Sequence, residues 1–141
     1  MKRLAIPAAV LLLLGACAGK GRTTPERGEF GFDALRAALR AHGAQVRPGE
    51  EIAQPFFSVA GRFLSVDGED VQVFEYAGAG AARAEAARIS PDGATIGTSK
   101  PFWAAPPHFH LRDRVIVLYT GDAAPVRAAL EAVMGPQFAG R

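Results

Sequence analysis

The chain has 141 residues, with 16 Lys and Arg against 14 Asp and Glu for a formal net charge of +2, and 49% of it is hydrophobic. That length holds one domain with a single adequate core and leaves no room for a second, and the near balance of charge argues against binding nucleic acid by bulk electrostatics. One cysteine, Cys17, excludes a disulfide-stapled scaffold, so the fold must rest on packing.

The chain begins with the positive Met1-Lys2-Arg3, followed by an uninterrupted apolar run from Leu4 to Leu14 and the small pair Gly15-Ala16, the three regions of an export signal. The run has about 11 residues and contains Pro7, whereas a helix crossing a ~30 Å hydrocarbon core needs roughly 20. It is therefore too short to span. Leu14-Gly15-Ala16-Cys17, a leucine, two small residues and a cysteine, resembles the lipobox that closes the signal peptide of bacterial lipoprotein precursors. The resemblance covers the first 17 residues and implies cleavage before Cys17, a diacylglyceryl thioether on its sulfur and usually an acyl chain on its new α-amine. Each buried methylene adds about 0.8 kcal/mol and stable anchoring takes two chains, so the acylated Cys17 would hold the protein to a membrane. In two-membrane bacteria an aspartate after the cysteine often marks inner-membrane retention. Ala18 stands there instead, so the outer membrane is expected in such an organism, and otherwise the outer face of the cell membrane. The plainer alternative is an ordinary cleaved signal, with Ala16-Cys17-Ala18 as the cleavage site. Either way Lys2 and Arg3 leave, 14 basic residues face 14 acidic ones, and no nucleic-acid partner is expected.

After residues 1–16, residues 17–31 read as the lipidated cysteine and a flexible tether, since Gly19, Gly21, Pro25, Gly28 and Gly31 dominate a stretch with one aromatic. About 14 such residues span roughly 20 Å. One α+β domain is expected over residues 32–141. Asp33 can cap a helix whose Leu35, Ala38, Leu39 and His42 fall at i, i+3, i+4 and i+7 on a core-facing stripe, with Phe32 stapled to Ala37 and Gly43 as the stop. A brief strand from Ala44 to Arg47 ends at Pro48-Gly49. A hairpin follows, Phe57 to Val66 and Val71 to Tyr76, with Gly68 first in a type II′ turn, Val66 opposite Val71, Leu64 opposite Val73 and Arg62 opposite Glu75. An alanine-rich helix from Ala79 to Ile89 would turn Ala82, Ala86 and Ile89 to the sheet and Arg83, Glu85 and Arg88 away. Ala94 to Gly97 suggests a short strand. A second hairpin runs from His108 to Leu111 and Arg114 to Tyr119, with Arg112-Asp113 at its tip, where loss of the Arg112 side chain should matter little. Asp122 caps the last helix, whose stripe is Val126, Ala129, Leu130, Val133 and Met134 before Gly135-Pro136 stops it.

The resulting order is α-(β)-ββα-ββα, a single antiparallel sheet with helices mainly on one face. Glu75-Tyr76-Ala77-Gly78 and Leu118-Tyr119-Thr120-Gly121 recur at an offset of 43 residues, which suggests a duplicated half. Val115 to Leu118 are consecutive apolar residues that point to alternate faces, so their strand should be central and covered on both sides.

Candidate chemistry is sparse. His108 and His110 lie two apart on a strand and share a face, a pair that can offer two imidazoles to zinc, but a site needs more ligands and His42 lies on another element. Their plainer role is to line a partly covered sheet face, and no metal ligand is assigned. Gly78-Ala79-Gly80 is similar to a dinucleotide-binding turn but fails at Arg83 and in its hairpin context. Asp67 to Asp70 lacks calcium-loop spacing, and no serine sits in a nucleophile elbow. No catalytic residue and no cofactor is assigned. Phe102 and Trp103, flanked by Pro101, Pro106 and Pro107, form the candidate partner-binding loop, although a lid folded over the core is the preferred reading of the same residues. The chain is thus expected to be a lipid-anchored cell-envelope protein, a non-enzymatic binding or interaction module for an envelope partner. The alternative is a small metal-dependent or hydrolytic envelope enzyme using His108 and His110.

Overall fold

In a computed structural model, residues 29–141 are described; the expected export signal, Cys17 and most of the expected tether lie outside the described residues. Val115-Ile-Val-Leu-Tyr-Thr120 forms β5, and its neighbours explain why so apolar a strand is tolerated. It pairs antiparallel with β3 (Glu69–Glu75) on one side and β4 (Pro107–Arg112) on the other, and every residue from Val115 to Tyr119 is fully buried. Outward from β3 lie β2 (Gly61–Val66) and β1 (Val46–Ile52), and a two-residue β6 (Ala139–Gly140) flanks β4. One open antiparallel sheet of order β1-β2-β3-β5-β4-β6 results, joined by α1 (Phe32–Ala41), α2 (Ala79–Ala86) and α3 (Ala124–Met134). Among the described residues no helix is long and apolar enough to cross a membrane.

Because side chains alternate along a strand, β5 feeds two cores. Val115, Val117 and Tyr119 join Leu35 and Leu39 of α1 and Val126, Leu130 and Val133 of α3, whereas Ile116 and Leu118 join Phe74, Phe109 and Ala82 and Ala86 of α2. α1 and α3 therefore lie on one face and α2 on the other, so two of the three helices share a face. The division also bears on the 43-residue likeness. Antiparallel neighbours such as β3 and β5 are exchanged by a two-fold axis perpendicular to the sheet, and that axis would leave both following helices on the same face. α2 and α3 break it, and Tyr76 and Tyr119 fall in opposite cores.

The first hairpin is tighter than expected. Asp67 (φ 50°) and Gly68 (φ 87°) are the two turn residues, both with the positive φ that a type I′ turn requires. Val66 then pairs with Glu69, Leu64 with Val71 and Arg62 with Val73, two residues away from the expected register. A slip of two leaves each side chain on its face, which is why the burial pattern was still legible. In the second hairpin the turn is Asp113-Arg114, so Arg112 is paired in β4 and is not the tip. Its guanidinium donates to the Val133 carbonyl and lies 4.0 Å from the centre of the Phe30 ring, contacts that make it a structural residue.

Other ends also shift. β1 runs through Pro48-Gly49, with its register displaced between Pro48 and Glu51; as an edge strand it can hold a residue with no N–H to donate. Gly31 precedes α1 as its cap, leaving Asp33 in the first turn bonded to Arg36 at 3.2 Å. Ala37 is exposed, so the expected staple with Phe32 is absent, and Phe32 packs instead at the margin of the core. The packed chain begins before residue 32: Phe30 is buried, its N–H donating to Asp113 at 3.0 Å, and the Phe32 N–H donates to Glu75 at 2.6 Å. Ala123, not Asp122, caps α3, and Asp122 instead pairs with Arg127 at 3.0 Å. The stripe of α3 is buried at all five expected positions. α2 ends at Ala86, and the expected strand at 94–97 reduces to isolated bridges from Ile96 to Ile89 and Ser99.

Candidate functional site

The connection from Ser99 to Pro106 has no regular structure, and Pro101 and Pro106 restrict its backbone. Its two aromatics part company. Trp103 turns inward: its indole N–H donates to the Gly93 carbonyl at 2.8 Å, and its ring stands edge-on to Phe56 and Phe109, with centres 5.8 and 5.9 Å away. Such T-shaped contacts are the preferred arrangement for aromatic pairs. The Gly93 turn can approach this closely because a Cβ there would lie 3.0 Å from the Phe109 ring, and its φ of 70° suits glycine. Beside it, Asp92 accepts from the Ala94 N–H and the Ser90 hydroxyl, and these bonds, the first above all, hold its carboxyl below the usual carboxylate range. Phe102 turns outward and is 91% exposed. The expected lid and the expected recognition aromatic are thus adjacent residues with opposite orientations.

Phe102 and Trp103 form a shared wall between two clefts. One, about 430 Å³, is bounded beyond them by Asp92, Pro106 and Arg141. The other, about 550 Å³, is bounded by Phe56, Gln54, Gln72 and Lys100, and no carboxylate lines it. The Gln54 amide donates to Gln72 Oε1 at 2.8 Å.

His108 and His110 do share a sheet face, as expected, but they are used for binding the chain to itself. They are 1% and 3% exposed. His108 Nε2 donates to the Gly121 carbonyl at 2.9 Å, and His110 Nδ1 donates to the Gly135 carbonyl at 2.9 Å. His108 Nδ1 lies 2.7 Å from Gln137 Oε1. Burial, helped by His108, pushes the His110 pKa below its ordinary value, against the opposing Gly135 carbonyl and Glu131. The pair clamps the segment after α3 and the turn after β5 onto β4. His42, expected on the buried stripe of α1, is its exposed C-terminal cap and joins neither. Among the described residues no three His, Cys, Asp or Glu side chains gather as a metal cluster.

One positioning residue escaped the sequence reading. Glu85, expected to point to solvent, is buried and accepts from the Ser58 N–H at 2.7 Å and from Arg88 at 3.1 Å. It ties α2 to the segment carrying Phe56, which in turn meets Trp103. Nearby, burial and then the Glu85 charge push the Tyr76 hydroxyl upward, against Arg88, and that hydroxyl has no hydrogen-bond partner among the described residues. A lone glutamate in an alanine-rich helix carries no local signal of inward orientation. At the glycine turn before α2 the Ala79 N–H donates to Glu29 at 3.1 Å, so the chain's own carboxylate occupies the helix start. The Asp67 carboxylate at the acidic hairpin tip accepts the Gln45 N–H at 2.8 Å.

No protein-family model, curated protein or solved structure matches this chain.

Proposed function

We propose that this chain is a lipid-anchored protein of the bacterial cell envelope that acts by binding a partner through the Phe102 loop. The observation that carries the binding half is the exposure of Phe102 on a loop whose next residue is fixed by an indole hydrogen bond and two aromatic contacts. An aromatic carried on a backbone that its neighbour fixes before encounter brings little backbone ordering cost to binding. The anchoring half rests on Leu14-Gly15-Ala16-Cys17, with Ala18 favouring the outer membrane where there is one. An enzyme built on His108 and His110 has less support, because three of their four ring nitrogens are spent on the protein's own groups.

Two measurements test the proposal. In cells fed labelled palmitate, Cys17→Ser should abolish labelling and membrane retention while the domain stays folded, and equal membrane association of both forms would refute the anchor. A photocrosslinker at position 102 should trap a discrete envelope protein that one at the exposed Ala81 does not. Identical patterns from the two sites would refute the binding face.

A further inference from the structure

We propose that the two clefts flanking Phe102 receive an extended, proline-containing acidic peptide, its prolines straddling the Phe102 ring. This rests on the binding-module reading above and specifies its partner. Three features carry it. The first is shape: the clefts of about 430 and 550 Å³ share Pro101, Phe102 and Trp103 as a common ridge. A polyproline II segment repeats every three residues at about 3.1 Å each, so prolines at i and i+3 stand roughly 9 Å apart on one side and can enter slots on either side of a single aromatic wall. Prolines in this conformation dock on aromatic-lined grooves with little ordering cost, and Phe102, Trp103 and Phe56 supply the aromatic surface here.

The second feature is hydrogen bonding. A polyproline II backbone makes no internal hydrogen bonds, and its prolines have no N–H, so it presents chiefly carbonyl acceptors. The larger cleft answers with donors: the Ser99 and Thr120 hydroxyls, the Lys100 ammonium and the carboxamide of Gln72, whose oxygen is taken by Gln54. The third is charge. Lys100 stands in that cleft with no carboxylate among its lining residues, so an acidic side chain beside the prolines is favoured there and a basic one is opposed. In the smaller cleft Arg141 is already accompanied by Asp92.

Trp103 is the only tryptophan in the chain, so its fluorescence reports on this wall alone. The detergent-solubilised full-length protein is titrated with an acetylated proline-rich decapeptide carrying one glutamate within a Pro-x-x-Pro motif, and with the same peptide carrying lysine instead. A saturable Trp103 change is expected at peptide concentrations below about 1 mM, with the glutamate peptide tighter. Phe102→Ala should weaken it at least about tenfold, and Lys100→Glu should reverse the preference between the peptides. Near-ultraviolet circular dichroism of both variants checks that the aromatic packing is intact. Absence of saturation with either peptide, unchanged affinity in Phe102→Ala, or a Trp103 response to an N-acetylglucosamine oligosaccharide but not to the peptides would overturn the proposal. Should a crosslinker at position 102 still trap a partner while the peptides fail, this specification falls and the binding-module reading stands; failure of both sinks both.

Discussion

β5 delivers Val115, Val117 and Tyr119 to one face of the sheet and Ile116 and Leu118 to the other, all fully buried, yet the two faces are sealed by unlike material. On the first face α1 and α3 lay down leucines and valines at helical spacing. On the second, α2 has eight residues and contributes the single methyls of Ala82 and Ala86, so most of the volume comes from segments without regular structure. Phe56, Phe57 and Trp103 supply it, Phe57 meeting Phe74 of the sheet at 4.5 Å between ring centres and Phe56 at 4.9 Å. Large rings can fill a layer that short helices leave thin, because each buries about 150–250 Å². The difference teaches where a binding surface can arise in this domain: the helical face closes on itself, while the loop-covered face has edges, and Phe102 lies at one of them.

The comparison is broken or kept first at β5. Ile116→Ala and Val117→Ala should each cost about 2–4 kcal/mol by chemical denaturation, with Ile116 at the upper end because more volume is lost. Both must respond, since each lies under a different cover. A costly change at one with a neutral change at the other would mean that one cover is not packed and that the two faces differ in closure as well as in composition.

Trp103→Ala is the next largest. Full truncation of a buried Phe or Trp costs about 3–5 kcal/mol. Trp103 is only half-buried, so about 2–3 kcal/mol is expected, with loss of near-ultraviolet ellipticity from the Phe56 and Phe109 neighbourhood. A cost below about 0.5 kcal/mol would show that the loop does not seal the second face.

His110 tests the other face, where α3 meets the strand edge. Its folded pKa is depressed by burial and by His108, with the Gly135 carbonyl and Glu131 acting the opposite way. Below the ordinary histidine value of about 6.5 the unfolded chain therefore binds more protons than the native one, so stability falls as the pH drops through that value toward the depressed folded pKa. The denaturation midpoint should decline between about pH 7.5 and 5.5, and His110→Gln should flatten that decline relative to wild type. An unchanged pH profile in His110→Gln would remove His110 as its source.

Much of this architecture was legible because periodicity reports burial. The α3 stripe, the central position of β5 and the two hairpins follow from spacing alone. The register of the first hairpin did not, since Asp67-Gly68-Glu69-Asp70 offers both a two- and a four-residue turn, and only the backbone selects one. Pro48 read as a stop because its tolerance depends on β1 being an edge, a property of the assembled sheet. The expected inward stripe of Ala82, Ala86 and Ile89 is buried, but which side of the sheet α2 covers, and the inward turn of Glu85, are set by tertiary packing. Phe30 looked like part of the tether until Arg112 and Asp113, 82 and 83 residues later in the chain, were brought against it. At the candidate site the sequence marks Phe102 and Trp103 as a pair, and nothing local separates them; the Gly93 carbonyl does, by engaging one indole.

That separation yields the smallest effect and the most discriminating one. Phe102 is almost wholly in water, makes no aromatic pair among the described residues and carries no hydrogen-bonding side chain, so its removal takes little apolar area out of the folded state. Phe102→Ala should therefore change stability by no more than about 0.5 kcal/mol, the range of surface substitutions that touch no cap, charge network or core. The pair Trp103→Ala and Phe102→Ala then compares two neighbours of similar chemistry, one structural and one free. If Phe102→Ala instead cost more than about 1 kcal/mol, its ring would be packed in solution against the wall of one of its clefts. The loop-covered face would then be as closed as the helical one, and its claim to be the binding surface would fail with it.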